Sequence, residues 1–190
     1  MRKIIKSAFC LVAAFAGGIL LTSAAWCAEF TADVAIDKDG SKYAGKAYVK
    51  DGNVRYELTT EAGEEIVIYR ADFGAQWTIF PAGEVYDEEW DYDDDDFIVP
   101  EANRRLGEVA TKEALGTETV AGVVCDVEFY RFVNPSQGTL TVYRALNLGY
   151  PVKIELKTDT HRLTKEYRNI KKDSLEDSLF ELPPDYSMLK

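Results

Sequence analysis

Residues 29–58, EFTADVAIDKDGSKYAGKAYVKDGNVRYEL, carry three alternating segments separated by two Asp-Gly pairs. In the first, Phe30, Ala32, Val34 and Ile36 fall on one side of a two-residue period, and Thr31, Asp33 and Asp37 on the other. That period is the signature of a strand with one covered face. Asp39-Gly40 and Asp51-Gly52 supply the positive φ that a tight hairpin needs. SKYAGKAYVK then reads as a second strand, and Val54, Tyr56 and Leu58 as the apolar face of a third.

Working outward, EEIVIYR, AQWTIF and GEVYD continue the series, divided by residues 71–74 and by Pro81-Ala82-Gly83. The pattern predicts an antiparallel meander. From Pro100 to Leu115 it changes to PEANRRLGEVATKEAL, which predicts a helix in spite of Gly107. The proline suits the first turn, and Gly116 the C-terminal cap. TETVAGVVCDVEFYRFV, GTLTVYRAL, YPVKIELKT and HRLTKEYRNI read as further strands, with turns at Asn134-Pro135 and residues 147–149. The tail DSLEDSLFELPPDY reads as one helical turn, capped by Asp173 or Ser174 and stopped by Pro183-Pro184. No tandem repeat or second domain is visible.

The N-terminus has the form of an export signal. Arg2, Lys3 and Lys6 precede an apolar stretch from Ala8 to Leu21, followed by Ser23, Ala24 and Ala25. The stretch is short for a membrane span. Residues 1–28 are expected to be a leader, cleaved after Ala25 or Ala28, leaving one domain over 29–190. Trp26 before Cys27 argues against lipid attachment at that cysteine, so a soluble exported protein with no transmembrane anchor is expected.

The chain has 33 acidic against 22 basic residues, a net charge of −11. Much of the acidity lies in one insertion, residues 84–97, EVYDEEWDYDDDDF, where nine carboxylates surround four aromatics. No basic stripe is available to neutralise phosphates, which argues against nucleic acid as a partner. Two carboxylates ~7 Å apart in water repel by roughly 0.6 kcal/mol before screening. Such a run stays extended unless cations or basic side chains join it. Three readings stay open: a solvated loop, a docking surface for a basic partner, and a weak calcium site. Asp91, Asp93 and Asp95 have the spacing of the first EF-hand ligands. Asp96 stands where the loop glycine belongs, however, and Ala102 where its closing glutamate belongs.

Chemistry has few candidates. Loss of Cys10 and Cys27 with the leader would leave Cys125 alone in an apolar run, which suits a buried thiol. His161 is the chain's one histidine and lies in a charged turn. No cysteine–histidine cluster, nucleophile–base spacing or phosphate loop is present in the sequence. The chain is therefore read as a non-enzyme with no cofactor, calcium excepted.

Four stretches carry a family resemblance: GKAYVKDGNVRYE, IVIYRADFGAQWTIFPAGEVYDE, LGTETVAGVVCDVEFY and DSLFELPPDY. Together, in order over nearly the whole mature chain, they resemble a family of exported bacterial proteins related to the lipoprotein carrier LolA, with LolB and the sensor RseB. The resemblance implies an α+β, mostly β fold: a curved, incompletely closed antiparallel half-barrel with one or two helices across its concave face. It also implies an apolar concave surface that holds a hydrophobic ligand, a lipid or the acyl chain of a lipoprotein, in the periplasm. The alternating apolar residues expected to line it are Val34, Ile36, Val54, Tyr56, Ile66, Ile68, Trp77 and Ile79. An envelope sensor or adaptor docking a basic partner through the acidic insertion is the alternative.

Overall fold

A computed structural model describes residues 28–60, 63–72, 74–90 and 106–189. Residues 1–27 of the expected leader, Asp91, Asp93 and Asp95, and residues 100–105 of the expected helix lie outside the described residues.

The first meander runs through β1 (Glu29–Lys38), β2 (Ser41–Lys50), β3 (Asn53–Thr60), β4 (Gly63–Arg70), β5 (Ala75–Phe80) and β6 (Val85–Trp90). After a single helical turn, α1 (Leu106–Val109), the second comprises β7 (Ala110–Val120), β8 (Val123–Phe132), β9 (Thr139–Ala145), β10 (Tyr150–Lys157) and β11 (Arg162–Lys172). A two-residue strand, β12 (Ser187–Met188), ends the series. All twelve join one sheet in the order β12-β6-β5-β4-β3-β2-β1-β11-β10-β9-β8-β7. Every neighbouring pair is antiparallel except β12 with β6. The two meanders therefore meet at the β1–β11 seam and spread away from it.

The hairpins arise from local chemistry. Asp39 and Gly40 have φ of 55° and 89°, and Asp51 and Gly52 have 51° and 87°. These are the paired left-handed residues of the hairpin turn whose twist matches that of the strands. β1 and β2 consequently pair residue for residue from Glu29↔Lys50 to Lys38↔Ser41.

The sheet curves towards one face. On that face one apolar cluster extends from β4 through β1 to β8, taking in Tyr69, Tyr56, Phe30, Tyr167, Ile154 and Tyr130. On the opposite face the buried residues form two separate clusters, one around β4–β5 and one around β8–β10. Tyr56 on β3 and Tyr167 on β11 stand three strands apart, about 14 Å on a flat sheet, yet their hydroxyls meet at 2.7 Å. Between them the sheet offers Gly45, Ala47 and Ala32, which are too small to hold the two rings apart. The fold is the curved, open half-barrel.

Three expectations are corrected. The helix over 100–115 is confined, among the described residues, to Leu106–Val109. From Ala110 the chain pairs with β8, and Gly116 follows a bulge in that ladder after Ala114 instead of capping a helix. A full ladder of pairing outweighs the modest helix propensity of the segment. TETVAGVVCDVEFYRFV is not one strand: it folds at Ala121-Gly122, with φ of 47° and 82°. The tail's helical turn is a 3-10 turn over Asp177–Phe180, preceded by Glu176 without a side-chain cap, so neither Asp173 nor Ser174 caps it.

Candidate functional site

The concave face is built on the strands flanking the seam. From β1 come Phe30, Ala32, Val34 and Ile36, from β2 Ala47 and Val49, and from β3 Val54, Tyr56 and Leu58. The second meander adds Leu140, Val142, Tyr150, Ile154, Leu156, Leu163 and Tyr167. Leu106 and Val109 of α1 pack against this cluster, which places the short helix on the concave side.

Aromatic rings dominate its centre. Phe30 meets Tyr150 edge-on at 5.2 Å and Tyr167 edge-on at 6.0 Å. Tyr56 and Tyr167 stack 6.5 Å apart, 13° from parallel. Into this group β11 delivers Lys165, in register with Ile36 on β1 and Ile154 on β10. Its side chain is 1% exposed, and it is the one buried charged residue among those described. The ammonium donates to Tyr56 Oη at 2.9 Å and lies 5.5 and 5.4 Å from the ring centres of Tyr56 and Tyr167. Ring faces attract a cation at such distances. The face is apolar, but it has a cationic, hydroxyl-bearing spot near its centre.

Charged groups mark one margin. Glu128 on β8 accepts from Lys112 on β7, from Tyr130 Oη at 2.9 Å and from Arg144 on β9 at 3.4 Å. Burial pushes the Glu128 carboxyl up, but the Lys112 bond and the Arg144 charge outweigh burial and hold it below its usual range. Burial, and then the bond to Glu128, push the Tyr130 phenol up. Near the other margin Gln76 is buried, and its register partner is Glu89 of β6.

The eight residues expected to line the cup divide evenly between the two faces. Val34, Ile36, Val54 and Tyr56 lie on the concave side. Ile66, Ile68, Trp77 and Ile79 lie on the convex side, under a C-terminal segment that contributes Leu175, Leu179, Phe180, Leu182 and Tyr186. The register explains the division: Val67 and Tyr69 pair with Tyr56 and Val54, so Ile66 and Ile68 must point the other way. The cover is fastened by main-chain carbonyls. Arg55 bonds Leu179 O at 3.1 Å, Arg70 bonds Phe180 O at 3.0 Å, and Lys50 bonds Leu175 O at 2.5 Å.

Other candidates are placed as follows. The acidic insertion begins as strand β6, whose Tyr86 packs on the convex cluster while Glu88 accepts from Trp77 Nε1 at 2.7 Å. Among the described residues no group of three metal-binding side chains is gathered. Cys125 is fully buried in the second convex cluster, and burial pushes its thiol up. His161 is exposed and bonds Asp39 at 2.8 Å across the β1–β2 and β10–β11 turns. No helix among the described residues is long and apolar enough to cross a membrane. Sequence reasoning misses Lys165 and Tyr167, although Leu163, Lys165 and Tyr167 share one parity in RLTKEY, where the lysine interrupts an apolar face.

No family model matches the chain, and no curated protein matches it in sequence. Solved structures do. An uncharacterised conserved protein from Thermus thermophilus superposes with a TM-score of 0.61 at 9% identity, covering 86% of this chain and 90% of that one. MucB superposes at 0.57 with 15% identity, over 86% of this chain and 60% of MucB. The Pseudomonas aeruginosa MucA/MucB complex gives 0.53 at 14% identity, over 83% of this chain and 56% of the matched chain. This chain thus spans less than two thirds of MucB. At these identities the likeness is one of fold, and it agrees with the resemblance in the sequence: the chain has a half-barrel of the LolA/LolB/RseB type.

Proposed function

We propose that this protein is an exported, non-enzymatic binding protein that holds a hydrophobic ligand, a lipid or the acyl chain of a lipoprotein, on its concave face. The observation that carries this reading is the continuous apolar cluster from β4 to β8, on a sheet that curves around it and stays open at its edge. Burying an acyl chain there is worth ~0.8 kcal/mol per methylene, so retention needs few polar contacts. A periplasmic location follows from the expected leader. Ala28 is buried and its carbonyl accepts from the Asp51 N–H, which supports cleavage after Ala25 over cleavage after Ala28.

The test is native mass spectrometry of the protein purified from periplasm, followed by organic extraction. Release of a fatty acid, phospholipid or acylated peptide is expected. A clean protein mass, in a preparation that also takes up no added lipid, would overturn the reading.

An adaptor role is the second reading, favoured by one observation: Asp87 and Glu89 are exposed on β6, close to the sheet's β12 edge. MucB, a fold relative, has been crystallised with the MucA periplasmic domain. Binding of a basic partner through this edge should weaken steeply as salt rises, whereas acyl-chain binding should be nearly indifferent.

A further inference from the structure

We propose that the outer edge of β7 takes up an extended, basic segment of a partner protein as a further strand of the sheet, with two of its cationic side chains facing Glu113 and Glu118. The inference is independent of the lipid reading, and its seat is the edge of the sheet remote from the acidic strand β6.

The two edges of the sheet end differently. At one, the C-terminus adds β12 alongside β6. At the other, β7 pairs with β8, and no described strand lies on its outer side. β7 is 11 residues long, and every residue from Thr111 to Thr119 is exposed. The open edge of such a strand presents main-chain N–H and C=O groups that can template another strand.

Edges are commonly blunted by a bulge and by charges, and β7 has both. Their arrangement decides what can pair there. Glu113 is in register with Phe129, Gly116 with Val127 and Glu118 with Cys125, so the three alternate along one face. Cys125 and Val127 belong to a convex cluster, which makes that face the convex one. Phe129 and Cys125 are four residues apart on β8, so the two glutamates stand about 13 Å apart along the edge. The one basic residue of β7, Lys112, is bonded to Glu128. Neither Glu113 nor Glu118 has an ion-pair partner among the described residues. Between them Gly116 leaves open space where a side chain would stand.

The complementary strand has the pattern basic–x–apolar–x–basic. Its cations meet the two glutamates, and its central side chain fills the space over Gly116, beside Val127. The pattern reads alike in both directions, so parallel and antiparallel addition both satisfy it. A second copy of this chain does not fit. Antiparallel pairing of two β7 strands about Gly116 sets Glu113 against Glu118, and like charges directly opposite one another are destabilising, whereas opposite charges stabilise the pair.

The experiment uses the mature protein and a fluorescein-labelled Thr-Lys-Thr-Ile-Thr-Lys-Thr peptide, followed by anisotropy at low salt and by amide hydrogen exchange. Saturable binding is expected, with exchange slowed in β7 and not in β6. Glu113→Lys/Glu118→Lys should weaken binding roughly tenfold or more. Both side chains are exposed, so the fold should survive the change. N-methylation of one alternate set of peptide residues should abolish binding, and of the other set should leave it intact, because only one set of N–H groups faces β7. No binding by the wild type, binding that survives the charge reversal, or two methylated peptides that behave alike would overturn the inference. Protection in β6 in place of β7 would overturn it in favour of the acidic edge as the seat of a basic partner.

Discussion

The two faces of this sheet bury apolar side chains by different means. On the convex side of β4–β5 the chain supplies its own cover: Leu175 and Phe180 lie over Ile68, Trp77 and Ile79, and three basic side chains hold the cover's carbonyls. On the concave side, curvature itself brings distant strands together, and small residues at Gly45, Ala47 and Ala32 leave room for rings to meet over them. Both clusters are closely buried, with Phe180 at 2% and Phe30 at 0% exposure. The second gathers apolar surface from both meanders around a buried cation, and this asymmetry directs the functional reading to the concave face alone.

The sharpest way to break the comparison is Phe180→Ala. Phe180 is 2% exposed in the convex cluster, and truncating a buried phenylalanine costs about 3–5 kcal/mol. Chemical denaturation should show that loss, while the folded fraction keeps its lipid occupancy. Equal loss of lipid would mean that the faces are not independent. Gly45→Ala probes the curve itself. A Cβ there would lie 1.8 Å from the Glu57 carbonyl oxygen, and because that atom is backbone the strands must shift. A destabilisation of about 3 kcal/mol is expected, at the upper end of ordinary overpacking, and lipid occupancy should fall with it. Tyr56→Phe removes the acceptor of the Lys165 bond at the cost of one oxygen. A loss of roughly 1.5–2 kcal/mol is expected by denaturation, and a change within error would mean that the hydroxyl contributes nothing to the concave face.

These contrasts were partly legible in the chain. Alternation in residues 29–58 was clean because each strand there has one apolar face, and Asp-Gly pairs announced both turns. EEIVIYR resisted the same reading because Ile66, Val67, Ile68 and Tyr69 are apolar on both sides. Only pairing with β3 decides which of them enters the cup. The convex cover was illegible for a related reason: nothing local in DSLFELPPDY states that it lies across Ile68 and Trp77, in a distant part of the chain. Ala121-Gly122 hid a hairpin because alanine rarely takes positive φ. The edge strand β7 was hidden by helix formers that cross-strand pairing overrides. Lys165 left a signal, a lysine at an apolar parity position, but its burial depends on curvature that no short stretch encodes.

The smallest expected effect separates the charged margin from the charged centre. Glu128 is held below its usual range by Lys112, Tyr130 and Arg144 against the opposing push of burial. A carboxyl lowered in the folded state contributes stability that is fully present above its unfolded value and disappears as pH falls through the folded one. Glu128 is partly exposed to solvent and Lys112 half exposed, so the contribution is screened and amounts to about 1 kcal/mol or less. Glu128→Gln should therefore cost little at neutral pH and flatten the loss of stability on acidification, with the difference shrinking in high salt. Its lipid occupancy should stay at the wild-type level, because the group lies on the β7–β9 margin of the sheet. An occupancy that fell with Glu128→Gln would extend the lipid site to the rim of the sheet.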